Sequence, residues 1–240
     1  DFPQPAAAAN ATGGARAVAA PPSPALAGME LTVTRLTAMR RRFRDLTVNA
    51  KRQGGNWQLT LQGRDVDGTA AWYAAAPGTP NGRAVVRLAR FALPRLRDES
   101  PAAGDKPAPP PAATGLNRWP ELDLDAQKFS SKGHELGRLR VLAQPSGSDW
   151  RIDKLDLRNE GGSIAASGAW HVGGDAENTE LAGKLDIRDA GVFLARFGYP
   201  QEIRGAPTQI EAKLAWTGAP SDFDYKTLHA NPRLKSGVGQ

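Results

Sequence analysis

The chain has 240 residues, 40% of them hydrophobic and 23% charged, which supplies apolar material for one or two domains and excludes disorder throughout. Cysteine is absent, so disulfides, thiolate metal sites and cysteine nucleophiles are ruled out, while the compartment stays open because a large β-protein folds without disulfides on either side of a membrane. The formal net charge of +6 is uneven: residues 29–98 carry 13 Lys/Arg against 5 Asp/Glu, and residues 119–230 carry 13 against 17.

Residues 1–28 are Ala, Pro and Gly with almost no large apolar group, so they cannot offset the entropy of ordering and read as a linker or insertion. The chain starts with Asp1, without the basic-then-apolar layout of a signal peptide, and the expectation is a piece of something longer. No run approaches the ~18 apolar residues that a membrane span needs.

Residues 29–96 form the first predicted module. It contains "MRRRFRD" (Met39 to Asp45), whose Arg40, Arg41, Arg42 and Arg44 are candidate contacts for a phosphate-bearing surface such as lipid headgroups. The alternative is a solvated strand end or turn. Residues 97–116, rich in Pro and Ala, predict a second linker.

The second predicted module, residues 117–240, repeats the pattern of the first. Leu31 matches Leu122, Leu46 matches Leu139, Trp57 matches Trp150 and Trp72 matches Trp170, so the unit is an array element. Its period is 2. Leu122 and Leu124 alternate with Asp123 and Asp125. The next apolar rows are Leu139 and Val141; Trp150 and Ile152; Ile164, Ala166 and Trp170; Leu181, Leu185 and Ile187; and Ile210, Leu214 and Trp216. Turn signals at "PSGSD", "NEGG", "GGDAEN" and "TGAPSD" separate them as in an antiparallel meander. The fold class is all-β, with each strand apolar on one face and charged on the other.

One short helix interrupts this pattern. Asp189 is a suitable N-cap, Val192, Phe193, Leu194 and Phe197 give a broad apolar side, and Gly198 followed by Pro200 ends it, near residues 190–197. The expected place is over the apolar face or the open end of the sheet, either as an ordinary core plug or with a functional role.

The residues offer little chemistry. His134, His171 and His229 lack metal-ligand spacing. The close pairs Asp123/Asp125, Asp153/Asp156 and Asp222/Asp224 are expected on a solvated face rather than as a facing acid pair. There is no nucleophile elbow, phosphate loop or dinucleotide fingerprint. The tryptophans fall in the apolar rows rather than between exposed basic residues, which argues against nucleic acid. The expectation is a non-enzymatic chain with no catalytic residue, cofactor or metal.

The phrases "WPELDLDAQKFSSKGHELGRLRVLAQPSGSDWRIDKLDLRNEGGSIAASGAW", "DAGVFLARFGYPQEIRGA" and "AKLAWTGAPSDFDYKTLHA" resemble the C-terminal portion of YhdP-type proteins, in the AsmA-like group of Gram-negative envelope proteins. The tail "LHANPRLKSGVGQ" looks like a family pattern cut before its last residue, which agrees with a longer parent. The resemblance implies a twisted U-shaped β-groove, reaching through the periplasm and tethered by an inner-membrane helix outside these residues. Such proteins look like bridge-type carriers of phospholipid toward the outer membrane. The partners implied are acyl chains, a membrane surface and the rest of the same polypeptide. The residues expected to line such a groove are those of the second module's apolar rows. Alternation alone leaves open a closed β-sandwich serving as a structural or protein-interaction module, because both arrangements bury the same faces.

Overall fold

The computed structural model describes residues 28–38, 41–94, 119–172, 177–199, 207–223 and 227–235. Twelve strands form one sheet: β1 (Gly28–Ala38), β2 (Arg41–Gln53), β3 (Asn56–Gln62), β4 (Val66–Tyr73), β5 (Arg83–Leu93), β6 (Glu121–Ser131), β7 (His134–Ser146), β8 (Asp149–Asn159), β9 (Gly162–His171), β10 (Asn178–Ile187), β11 (Thr208–Thr217) and β12 (His229–Lys235). Their spatial order is their chain order, with β1 and β12 at the two edges. One helix, α1 (Ala190–Ala195), lies between β10 and β11.

Every neighbouring pair is antiparallel except β5 and β6, which run parallel. Tight hairpin turns join several of the antiparallel pairs: Gly54 and Gly55 have φ of 57° and 86°, and Lys132 and Gly133 have 53° and 88°, the left-handed values that such turns require. The parallel pair needs a crossover from one end of the sheet to the other, and residues 95–118 connect it.

That junction is held from both faces. Arg87 donates to both carboxylate oxygens of Asp123 at 2.9 and 2.8 Å, and Arg83 lies 3.4 Å from Glu121 and 3.5 Å from Asp123. On the apolar side the rings of Phe91 and Phe129 are 5.6 Å apart, and Leu88 and Ala126 are buried register partners. Leu46, Val66, Leu88 and Ala126 form one core cluster; Ala143, Ile152, Leu181 and Trp216 form another.

The sheet is not flat. Right-handed twist accumulates over adjacent strands, and register irregularities at Asp67/Gly68, Ala126/Phe129, Phe129/Ser130, Leu142/Ala143 and Ile152/Leu155 bend individual strands further. Gly68, at φ 147°, is one such place: a Cβ there would overlap the Arg87 carbonyl oxygen on β5, so only glycine permits that approach.

Helix α1 forms as the sequence predicts. The Asp189 side chain accepts a hydrogen bond from the Val192 backbone N–H at 2.9 Å, and Gly198 at φ 87° ends the helix. Phe193 is 3% exposed and its ring lies 5.1 Å from that of Phe197; Val192, Leu194 and Phe197 are half-buried. The helix sits over the sheet end, against the Gly161–Gly162 turn between β8 and β9, where a Cβ on Gly161 would overlap the Phe193 backbone.

Candidate functional site: an apolar strip across the sheet

Register partners in a sheet project to the same face. Leu31, Val48, Leu61, Gly68, Leu88, Ala126, Leu139, Leu157, Ile164, Leu185, Ile210 and Leu234 are successive partners, one from each strand. Two residues away on the same face runs a second complete row: Met29, Ala50, Leu59, Ala70, Val86, Leu124, Val141, Leu155, Ala166, Gly183, Ala212 and Pro232. Neither row contains a charged or hydrogen-bonding side chain, in a chain that is 23% charged. At ~4.8 Å per strand the rows run for roughly 50 Å.

These rows are partly exposed over much of their length, although Leu88, Ala126 and Leu157 of the first row are buried. In the second row only Ala50 is buried, Leu59 through Ala212 are half-exposed, and Met29 is 44% exposed. Inward rows of a β-sandwich would be sealed by the facing sheet, whereas here each strand's main contacts are with its chain neighbours.

The predicted lining residues all fall on this face. Leu122, Leu124, Leu139, Val141, Trp150, Ile164, Ala166, Leu185, Ile210 and Leu214 are half-exposed, while Ile152, Trp170, Leu181, Ile187 and Trp216 are buried. The buried ones have specific covers. Phe223 packs edge-on against Trp216 at 5.2 Å, Leu228 joins the same cluster, and Trp119 lies 6.0 Å from Trp150 and 5.1 Å from Trp170.

Among the arginines singled out in the sequence, Arg40 lies outside the described residues, Arg41 and Arg42 open β2, and Arg44 is exposed near its start. Positions 41, 42 and 44 lie at one end of the sheet, away from the middle of the strip.

Several lining residues escaped the sequence reading. Leu155 and Leu157 rejoin the apolar face because the bulge after Ile152 shifts the alternation by one residue, and the string "WRIDKLDL" carries that phase change. The first module's Val48, Leu59, Leu61, Val86 and Leu88 occupy the same rows, and their period-2 spacing was the available signal.

The opposite face is polar and charge-alternating. From β5 to β8 the register partners are Arg87, Asp125, Arg140 and Asp156, and from β10 to β12 Lys184, Glu211 and Arg233. Arg138 grips Asp125 through two bonds of 2.9 and 2.6 Å, and Arg158 grips Asp156 through two of 2.8 Å. Hydrogen bonding from Arg87 holds the Asp123 carboxyl below the ordinary carboxylate range, and Arg138 does the same to Asp125, each against the opposing effect of burial. Two of the three carboxylate pairs of the sequence, Asp123/Asp125 and Asp153/Asp156, are therefore tied to arginines, while Asp224 of the third lies outside the described residues.

Hollows of about 660, 810 and 600 Å³ lie along the sheet, their walls combining polar-face residues with members of the apolar face: Leu155, Ala166 and Ala212 in the first, Leu181 and Leu214 in the second, Leu59 and Ala70 in the third. The first two share Ser167, Ala182, Lys213 and Asn231 in their walls, and the third is bordered by Asn49, Thr60, Thr69 and Arg87. The apolar strip is the surface that fits an apolar ligand.

No helix among the described residues is long and apolar enough to cross a membrane. No curated protein and no solved structure matches the chain. The model of the family described as YhdP protein matches residues 5–240. With nearly the whole length matched, and with an almost all-β open sheet as that resemblance implies, the chain belongs to the YhdP family of AsmA-like proteins.

Proposed function

We propose that this chain is a segment of a lipid conduit, in which phospholipid acyl chains lie on the apolar strip while the charged face stays in water. The supporting observation is the pair of unbroken apolar rows crossing twelve strands, partly exposed apart from the buried Ala50, Leu88, Ala126 and Leu157, and without a facing layer among the described residues. Each methylene removed from water is worth ~0.8 kcal/mol, so a chain of about fifteen gains at most on the order of 12 kcal/mol, and the strip supplies the part of this that its covered side accounts for. Near-equivalent sites along the strip let that chain move without a deep trap. In its family's setting the segment would stand in the periplasm, tethered to the inner membrane through another part of the polypeptide, and carry phospholipid toward the outer membrane to sustain its integrity. The edges β1 and β12 suit extension of the strip by further strands of the same polypeptide.

Photo-crosslinking tests this reading. A crosslinking residue replacing Leu185 or Leu214 captures phospholipid, and one replacing Asp186 or Lys213 does not. Equal capture on both faces, or none from the apolar face together with a lipid-free extract of the gently purified protein, overturns it in favour of a structural β-module.

A further inference from the structure

Tryptophan and phenylalanine are sorted to opposite margins of the strip. Trp57 lies at the start of β3 and Trp72 at the end of β4; Trp119 precedes β6, Trp150 lies at the start of β8, and Trp170 and Trp216 lie near the ends of β9 and β11. Because strand direction alternates, with β5 and β6 parallel, these six positions lie at one margin. They are all the tryptophans in the chain. Phe43 near the start of β2, Phe91 and Phe129 near the ends of β5 and β6, and Phe193 and Phe197 at α1 lie at the other margin. Phe223, against Trp216, is the exception among the described phenylalanines.

The two rings differ in one respect that matters here. Indole is an apolar body with an N–H donor and collects where hydrocarbon meets water and ester groups, whereas phenyl has no polar handle. At the tryptophan margin the donors need acceptors. Trp150 donates to the Pro120 carbonyl at 3.0 Å and Trp216 to that of Ala219 at 3.1 Å. Trp170, only 6% exposed, has an indole N–H with no acceptor among the described residues, an arrangement that buried donors rarely tolerate. Trp119 stands edge-on across it at 5.1 Å. The phenylalanine margin is closed over the β8–β9 turn by Phe193, and beside that turn Arg188 donates to the Asn159 carbonyl at 2.9 Å and Arg196 lies 3.5 Å from Glu160.

We infer that phospholipid lies across the strip in one orientation, with its glycerol-ester level at the tryptophan margin and its acyl chains running along the strands toward the phenylalanine margin. The ester carbonyls, or water held beside them, accept from the Trp170 N–H once Trp119 swings aside. From Trp150 to Leu157 the strand offers roughly 23 Å of apolar path. This inference rests on the conduit reading and goes beyond it. It opposes a headgroup seat at Arg41, Arg42 and Arg44, which lie at the phenylalanine margin.

Because every tryptophan is at one margin, the selectively excited tryptophan fluorescence of the unmodified 240-residue chain reports on that margin alone. The chain is loaded from phosphatidylcholine vesicles whose acyl chains carry bromine either near the carbonyl or near the methyl end. Bound lipid is quantified separately by mass spectrometry. Carbonyl-proximal bromine is expected to quench about twofold more per bound lipid than methyl-end bromine. Equal quenching, or stronger quenching by methyl-end bromine, overturns the orientation while leaving the conduit standing. Absence of bound lipid overturns the conduit and the orientation with it.

Discussion

Gly161 lies beneath Phe193 so closely that a single added methyl would overlap the phenylalanine's backbone nitrogen. The helix and the β8–β9 turn are therefore one packed unit, and the fit depends on glycine at that turn. Replacing Gly161 with Ala forces α1 away and is expected to cost about 1–3 kcal/mol. Phe193→Ala, which removes a ring that is 3% exposed, is expected to cost about 2–4 kcal/mol, and Phe193→Asp more, because it also buries a charge. Urea unfolding of the three variants measures these differences, and unchanged midpoints would remove α1 from the structural account.

The parallel junction depends on the Arg87–Asp123 fork. A double-mutant cycle with Arg87→Ala and Asp123→Ala is expected to give a coupling of about 0.5–1 kcal/mol, modest because the arginine is largely in water. The same cycle on Arg87 and Asp186, which stand on β5 and β10, five strands apart in the sheet, is expected to give near-additive changes.

Acid sensitivity follows from the depressed carboxyls. Asp123 and Asp125 are held below their ordinary value in the folded chain by Arg87 and Arg138, so the folded state binds fewer protons than the unfolded one as pH falls. Their contribution is fully present above the unfolded value near ~3.9 and is lost as pH drops through the folded values. The Asp123→Asn, Asp125→Asn double variant is expected to be less stable at neutral pH and to show a flatter stability curve below about pH 4. Parallel curves for the variant and the parent chain would contradict this.

A cation placed in the strip should interrupt it without unfolding the sheet. Leu155 is half-exposed in the second row, so the stem of a lysine there can lie along apolar neighbours while its ammonium reaches water. Leu155→Lys is expected to reduce lipid bound per chain about two- to threefold with little change in melting. Thr60→Lys, on the charged face, is expected to leave lipid content unchanged. Mass spectrometry of extracted lipid measures both.

Local pattern carried much of this molecule. The alternation of Leu122 and Leu124 with Asp123 and Asp125 specified strand and face together, because a side-chain period of 2 allows only one set inward. Asp189 and Gly198 marked α1 for the same local reason: an N-cap and a left-handed glycine act within a turn of the chain. Trp57 and Trp72, matched in the sequence with Trp150 and Trp170 respectively, are cross-strand partners in the first module, as Trp150 and Trp170 are in the second. What tertiary structure alone decided was register between distant segments. The β5–β6 pairing spans residues 95–118, and nothing in the local period of either strand identifies its neighbour. The bulge after Ile152 moved Leu155 and Leu157 onto the apolar face, a phase change fixed by pairing with β9. The sorting of indole and phenyl to opposite margins depends on the direction of every strand, which accumulates along the sheet and cannot be read from any one of them.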